Sequence, residues 1–147
     1  MAQMNRSVPT DVLVAHIVYR DVGEAVAWLT RVFGFKEHFR YGDPNHPNGA
    51  QMLFGKACFM IAEVRPGRAT PADSGVYNQS LTVFVPDVDA HYAHAKAAGA
   101  KIVEEPHVTE YGEHQYGALD FAGHHWLFAQ HARDVSPEEW GATLSGR

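Results

Sequence analysis

Short β-branched runs and two stretches of helical spacing organise the hydrophobic positions of this chain. Residues 11–19, DVLVAHIVY, predict a strand. Asp21 then offers a helix cap, with Glu24 three residues on. Ala25, Trp28, Leu29, Val32 and Phe33 recur at i, i+3 and i+4, so one apolar helix face runs to a stop at Gly34. Three further runs, Lys36–Tyr41, Ala50–Phe54 and Ala57–Glu63, are separated by DPNHPNG and by Gly55-Lys56, and read as an antiparallel meander. RPGRATPADSG, Arg65–Gly75, is a connector rich in proline and glycine. Ser80–Val85 (SLTVFV) resumes as a strand. Asp87 opens a second helix with Val88, Tyr92, Ala95 and Gly99 on one side, and Ala100–Glu104, Gln115–Asp120 and His125–Gln130 are further strands.

The second half therefore repeats the plan of the first. Asp-Val at a helix start recurs 66 residues on, from Asp21 to Asp87. A helix-ending glycine recurs after 65, from Gly34 to Gly99, and a strand end after 67, from Glu63 to Gln130. Order and spacing together predict an internal βαβββ duplication, hence an α+β chain. The units span about 11–64 and 80–131 of a single domain, joined by a connector over 65–79 and followed by a tail over 132–147. In that tail Ser136, Pro137 and Glu139 occupy N-cap, N1 and N3 of a short helix, and Trp140 is expected to dock it on the body or on a partner chain.

Composition narrows the chemistry. The chain has 147 residues, 46% of them hydrophobic and 20% charged, which suits a globular domain with a real core. Twelve Lys and Arg against seventeen Asp and Glu give −5, a poor balance for a nucleic-acid phosphate backbone. The lone Cys58 excludes an internal disulfide and a multi-cysteine zinc site. No apolar run reaches the roughly 18–20 residues of a membrane span. MAQMNRSVPT lacks the apolar centre of a secretory signal, so a cytoplasmic location is expected. H-E-x-x-H, G-x-S-x-G, G-x-G-x-x-G and the P-loop are absent. Ten histidines remain to be placed.

HIVYRDVGEAVAWLTRVFGF in the first half, and VFVPDVDAHYAHAKAAGAKIVEEP with YGALDFAGHHWLFAQ in the second, resemble the vicinal oxygen chelate superfamily of glyoxalases, extradiol dioxygenases, fosfomycin-resistance enzymes and bleomycin-resistance proteins. The last string is similar to that family's D-P-x-G-H-x-W ending, with Phe121 in place of proline. The resemblance covers roughly residues 11–131. It implies that each unit curls into a half-barrel sheet, that two units from one chain or two face each other around a cavity, and that homodimers are usual. It also implies metal-ligand positions in the first and last strand of each unit. Carried over, these fall on Val14, Met60, Ser80 and Leu127, or, with a two-residue shift, on His16, Ala62, Thr82 and Ala129. A slip of the fourth strand alone would bring in Glu63, and His125 shares a strand face with Leu127. None of these sets supplies three good ligands, so no metal is expected.

With Val14 facing the cavity, strand alternation sends Val14, His16, Val18, Cys58, Met60, Ala62, Ser80, Thr82, Phe84, His125, Leu127 and Ala129 to one side. Leu13, Ala15, Ile17, Phe59, Ile61, Leu81, Val83, Val85, Trp126 and Phe128 go to the other, an apolar set suited to packing under helices. The first set is apolar with a few polar groups, as small-molecule sites are. His16 and Glu63 are the candidate catalytic or orienting residues, and Val14, His16, Met60, Thr82, Phe84, Tyr116, His125 and Leu127 the candidate ligand walls, with Tyr111 and Trp126 as further stacking surface. Tyr116 is expected at the mouth. Cys58 reads as an inert buried thiol, and His91 and His94 as a solvated helix face.

These residues point to a metal-free dimeric protein that sequesters an aromatic or amphipathic small molecule such as an antibiotic, without nucleic acid or membrane as partner. Two alternatives stay open. One is a lyase, isomerase, dioxygenase or thiol transferase using Zn, Ni, Mn or Fe; the other is a metal-free enzyme with His16 or Glu63 as general base.

Overall fold

The computed structural model describes residues 13–145. They form two compact units that divide after Gly75. In unit 1, β1 (Ala15–Tyr19), α1 (Val22–Trp28), a π-helical turn (Leu29–Phe33), β2 (Lys36–Asp43), β3 (His46–Phe54) and β4 (Ala57–Glu63) follow in order, then a single helical turn, α2 (Pro71–Ser74). Unit 2 holds β5 (Ser80–Phe84), α3 (Val88–Ala97), β6 (Lys101–Val108), β7 (Glu113–Leu119), β8 (His125–His131) and a 3₁₀ turn (Pro137–Trp140). The sheet orders are β1-β4-β3-β2 and β5-β8-β7-β6. In each, the first strand runs parallel to the last and the other pairs are antiparallel. Each unit is therefore βαβββ, and the chain is α+β.

Both long helices start where the sequence places them. The Asp21 carboxylate accepts the Glu24 N–H at 3.0 Å, and Asp87 accepts the Ala90 N–H at 3.0 Å, each satisfying a donor the helix leaves unpaired. Gly34 ends the first with a φ of 83°, the left-handed conformation that glycine adopts without a Cβ penalty. The i, i+4 pattern does not announce the widening of the last turn to a π-helix. That turn buries Leu29, Val32 and Phe33 together, and Phe33 meets Trp28 and Phe35 edge to face at 5.0 and 6.1 Å.

Several boundaries differ from the sequence reading. Within the described residues the first strand begins at Ala15; Asp11 and Val12 of the predicted strand lie outside them. DPNHPNG is not a loop. Its ends continue the strands, pairing Asp43 with His46, and only Pro44 and Asn45 turn the chain. The connector holds α2, capped by Thr70 and tied to the residue after β1 by an Arg20–Asp73 ion pair at 2.7 Å. β6 runs on to Val108 because two register shifts against β7 absorb Val103 and Glu105-Pro106 without ending the ladder.

Each sheet buries one face. In unit 1 Ile17, Tyr19, Met52, Phe59 and Ile61 are buried on the side that α1 covers. In unit 2 Tyr116, Ala118, Trp126 and Phe128 take that place beside α3. The opposite faces hold the chemistry. Among the described residues, no helix is long and apolar enough to cross a membrane.

Candidate functional site

Period-two alternation and the pairing register fix which side chains share each open face. In unit 1, His16 pairs with Met60 and Met60 with Gln51. Gln51 is fully buried and held at both ends of its amide, Nε2 donating to the Met60 thioether at 3.7 Å and Oε1 lying 2.5 Å from His38 Nδ1. His16, at the edge strand, is exposed. Cys58 sits on this face two residues before Met60. Burial pushes its thiol pKa up, which keeps it protonated and a weak nucleophile. Glu63 pairs with Tyr19, one residue out of phase with His16, so alternation places the two on opposite sides of the sheet. Its carboxylate accepts a hydrogen bond from Asn48 Nδ2 at 2.9 Å. The fourth strand has not slipped, and His16 and Glu63 are not brought together. Val14, half-buried, lies just ahead of β1.

Unit 2 carries the richer face. Ser80 pairs with His125, Thr82 with Leu127 and Phe84 with Ala129; β7 adds Gly117 beside Leu127 and Gln115 beside Ala129. Ser80 Oγ lies 2.5 Å from His125 Nδ1, which fixes the plane of the imidazole. Tyr77 stacks on that ring at 5.0 Å and 8°. Burial lowers the His125 pKa, only partly countered by the negative charge of Glu104, so the ring is neutral at pH 7. Glu104, opposite Gly117, accepts a hydrogen bond from Gln115 Nε2 at 2.9 Å and lies 3.5 Å from His107 Nε2. Tyr111 donates to Gln115 Oε1 at 3.3 Å and is itself covered edge-on by Trp140 at 5.7 Å. The tail turn thus docks on its own unit. Phe84 presents a ring that is 57% exposed.

Gly117 matters at this point. A Cβ there would stand 3.1 Å from Glu104 Cβ and 3.3 Å from both His125 Nε2 and Leu127 Cδ2. The side chains of Glu104, His125 and Leu127 close over the Gly117 backbone and leave too little room for a Cβ, so glycine is what lets them come together here.

Tyr116 corrects the sequence reading. It pairs with Phe128, is 0% exposed and lies on the helix side, away from Thr82 and His125. Its hydroxyl meets His91 Nδ1 at 2.5 Å, and the His91 ring packs on Phe128 at 4.2 Å. His91 is thereby part of the helix–sheet seam rather than a solvated face, while His94 is exposed. Burial pushes the Tyr116 phenol pKa up, so the hydroxyl stays protonated. Trp126 is core. Its indole N–H donates to Asp120 Oδ2 at 3.0 Å, and the other carboxylate oxygen takes the N–H groups of Ala122 and His124. This is the physical content of the D-x-x-G-H-x-W string, and Phe121, in the proline position, points outward enough to be 38% exposed.

Sequence reasoning missed Tyr77, Glu104, Gln115 and Gly117. Alternation in EHQYGAL (Glu113–Leu119) carries the signal for two of them, since Gln115 and Gly117 must face away from Tyr116 and Ala118. Tyr77 sits in a connector without periodicity, and Glu104 reaches the face through a bulge.

The positions that the resemblance assigns to a metal hold an isopropyl, a thioether, an isobutyl group and a hydroxyl already engaged by His125. Among the described residues, no group of three or more His, Cys, Asp or Glu could hold a metal ion. This donor set does not fit a divalent-metal shell.

The model of the Glyoxalase/Bleomycin resistance protein/Dioxygenase superfamily matches residues 12–128, and the chain belongs to this family. TioX from Micromonospora sp. ML1 is 30% identical with a TM-score of 0.68, over 86% of this chain and 100% of TioX. The uncharacterized protein Rv0887c of Mycobacterium tuberculosis is 28% identical over 142 residues, 92% of this chain and 83% of that protein. A bleomycin-binding protein, solved with bleomycin, shares the fold with a TM-score of 0.63 at 19% identity, over 82% of this chain and 98% of its own.

Proposed function

We propose that this protein is a metal-free, homodimeric binding protein that sequesters an aromatic or amphipathic small molecule, such as an antibiotic. The half-exposed ring of Tyr77, stacked at 5.0 Å on a neutral, hydroxyl-anchored His125, carries this reading. A flat aromatic surface next to a few fixed polar groups recognises planar guests by stacking and hydrogen bonding. Thr82, Phe84 and Leu127 extend the wall, and His16, Met60 and Gln51 give unit 1 a second, smaller polar row. That a bleomycin-binding protein shares the fold makes antibiotics the sensible first panel. The alternative of a His16 and Glu63 acid–base pair loses support, because the two residues lie on opposite sides of their sheet. Calorimetry of the purified protein against bleomycin and planar antibiotics tests the proposal. We expect saturable binding at micromolar concentration or better, about 8 kcal/mol. Absence of binding across the panel overturns it, and light scattering that shows only monomer removes the dimer.

A further inference from the structure

We propose that unit 1 carries a further site, a groove between α1 and β2 that holds a small amphipathic anion, a carboxylate or phosphate head on a short apolar body. The groove offers about 510 Å³, room for a fragment-sized molecule. Gly23, Val26 and Ala27 of α1 give it an apolar wall, and Arg31 of the π-helical turn ends that wall with a charge. Lys36, Glu37 and Arg40 of β2 form the other side. Glu37 pairs across the ladder with Met52 and Arg40 with Ala50, and both partners are buried on the face that α1 covers. The groove therefore lies on the helix side of the first sheet, opposite the row of His16, Met60 and Gln51, and the proposal is independent of the binding reading above.

The lining sets the sign of the guest. One carboxylate against three cations leaves the groove two charges positive, on a chain whose total is −5. Positive potential is thus local here, and it selects an anion where the chain as a whole does not. Both Glu37 oxygens are taken by Arg40, from Nε at 2.5 Å and Nη2 at 3.1 Å, and Arg40 Nη1 donates to the Pro44 carbonyl at 3.0 Å. That guanidinium is held in place before any guest arrives. A guanidinium fork matches the oxygens of a carboxylate or phosphate, and charge on both partners strengthens the hydrogen bonds. Gly23 is a second, separate observation. Its φ is not positive, and a Cβ built on it would meet nothing closer than Asp21 Oδ1 at 3.5 Å and Pro47 Cδ at 3.8 Å. Neither backbone nor packing calls for glycine at this helical position, where alanine is the more stabilising residue. Its bareness keeps the end of the groove nearest Pro47 open.

Backbone amide NMR of the intact, isotope-labelled protein at neutral pH tests this with four probes of similar size: benzoate, phenyl phosphate, benzyl alcohol and benzylammonium. We expect the two anions to shift the amides of Gly23, Ala27, Arg31 and Lys36 saturably and to leave those of Tyr77 and His125 in place. The neutral and cationic probes are expected to shift none of them. Saturable binding of either anion in the groove supports the proposal, and the tighter of the two names the head group. Lys36→Gln, at an exposed residue, is expected to weaken the anions severalfold, and Lys36→Gln with Arg31→Gln about tenfold. Gly23→Leu, which fills the groove, is expected to abolish the shifts; should it fold poorly by circular dichroism, the double charge variant decides alone. No shift with either anion, an equal response to benzyl alcohol, or anion binding unchanged in the double charge variant overturns the proposal. Each of these outcomes leaves the reading of unit 2 as it stands.

Discussion

Asp120 is 5% exposed and accepts hydrogen bonds from the backbone N–H groups of Ala122 and His124 in its own turn and from the indole of Trp126. Burying a carboxylate is costly unless it is fully hydrogen-bonded, and here both oxygens are used. Asp120→Ala would strand the Trp126 N–H in the core and release the turn. We expect a loss of about 3 kcal/mol, read from the urea midpoint. The D-x-x-G-H-x-W spacing was legible in the sequence, but its cause was not, because the donors come from backbone atoms that no composition or motif displays. His91 teaches the same limit. Helical spacing pairs it with His94, yet its partner, the Tyr116 hydroxyl, is supplied 25 residues away by β7. His91→Phe would keep the packing on Phe128 and orphan that hydroxyl, at a cost of about 1–3 kcal/mol. A Tyr116→Phe change in the same chain should recover part of the loss. A double-mutant cycle with no coupling would show that the contact does not stabilise the fold.

At the scale of elements, starts and stops were readable because they depend on local chemistry. Asp21 and Asp87 cap because their carboxylates reach backbone N–H groups three residues on, and Gly34 ends α1's extension because only a residue without Cβ enters φ 83° cheaply. Nothing lies within 4 Å of a Cβ built at Gly34, so Gly34→Ala isolates the backbone term. It should cost about 1 kcal/mol in a thermal or urea melt, and a neutral result would mean the turn relaxes. The π-helical turn and the bulges of β2 and β6 were not readable. They answer to partners distant in sequence: Phe35 packs on Phe54 and Phe59 at 5.8 and 5.1 Å, and β6 must keep step with β7. The bulges had a consequence for the site. Alternation placed β1, β4, β5 and β8 side chains on their faces, but Glu104 is reached through a bulge; Tyr116 lies in an unbroken β7–β8 ladder, where alternation with Gln115 and Gly117 sends it to the helix side.

At the scale of the whole molecule, charge and histidine content are unevenly spread: seven of the ten histidines lie beyond residue 75, among most of the acidic groups. His107, His114 and His131 stand 3.5, 3.5 and 3.1 Å from Glu104, Asp89 and Glu113. His125 carries the pH response. Its pKa is lowered in the fold, so the unfolded chain takes up this proton first. Its neutral-state stability is present above the unfolded value, about 6.5, and is lost as pH falls below that toward the lower folded value. The half-buried ring should therefore set the sign of the pH response, with stability falling from about pH 7.5 to about pH 5.5. His125→Asn keeps an acceptor or donor for Ser80 and removes the titration. Urea midpoints of wild type and variant at the two pH values should therefore converge at the acidic end. Parallel pH profiles would mean that protonation of His125 is not what unit 2 resists.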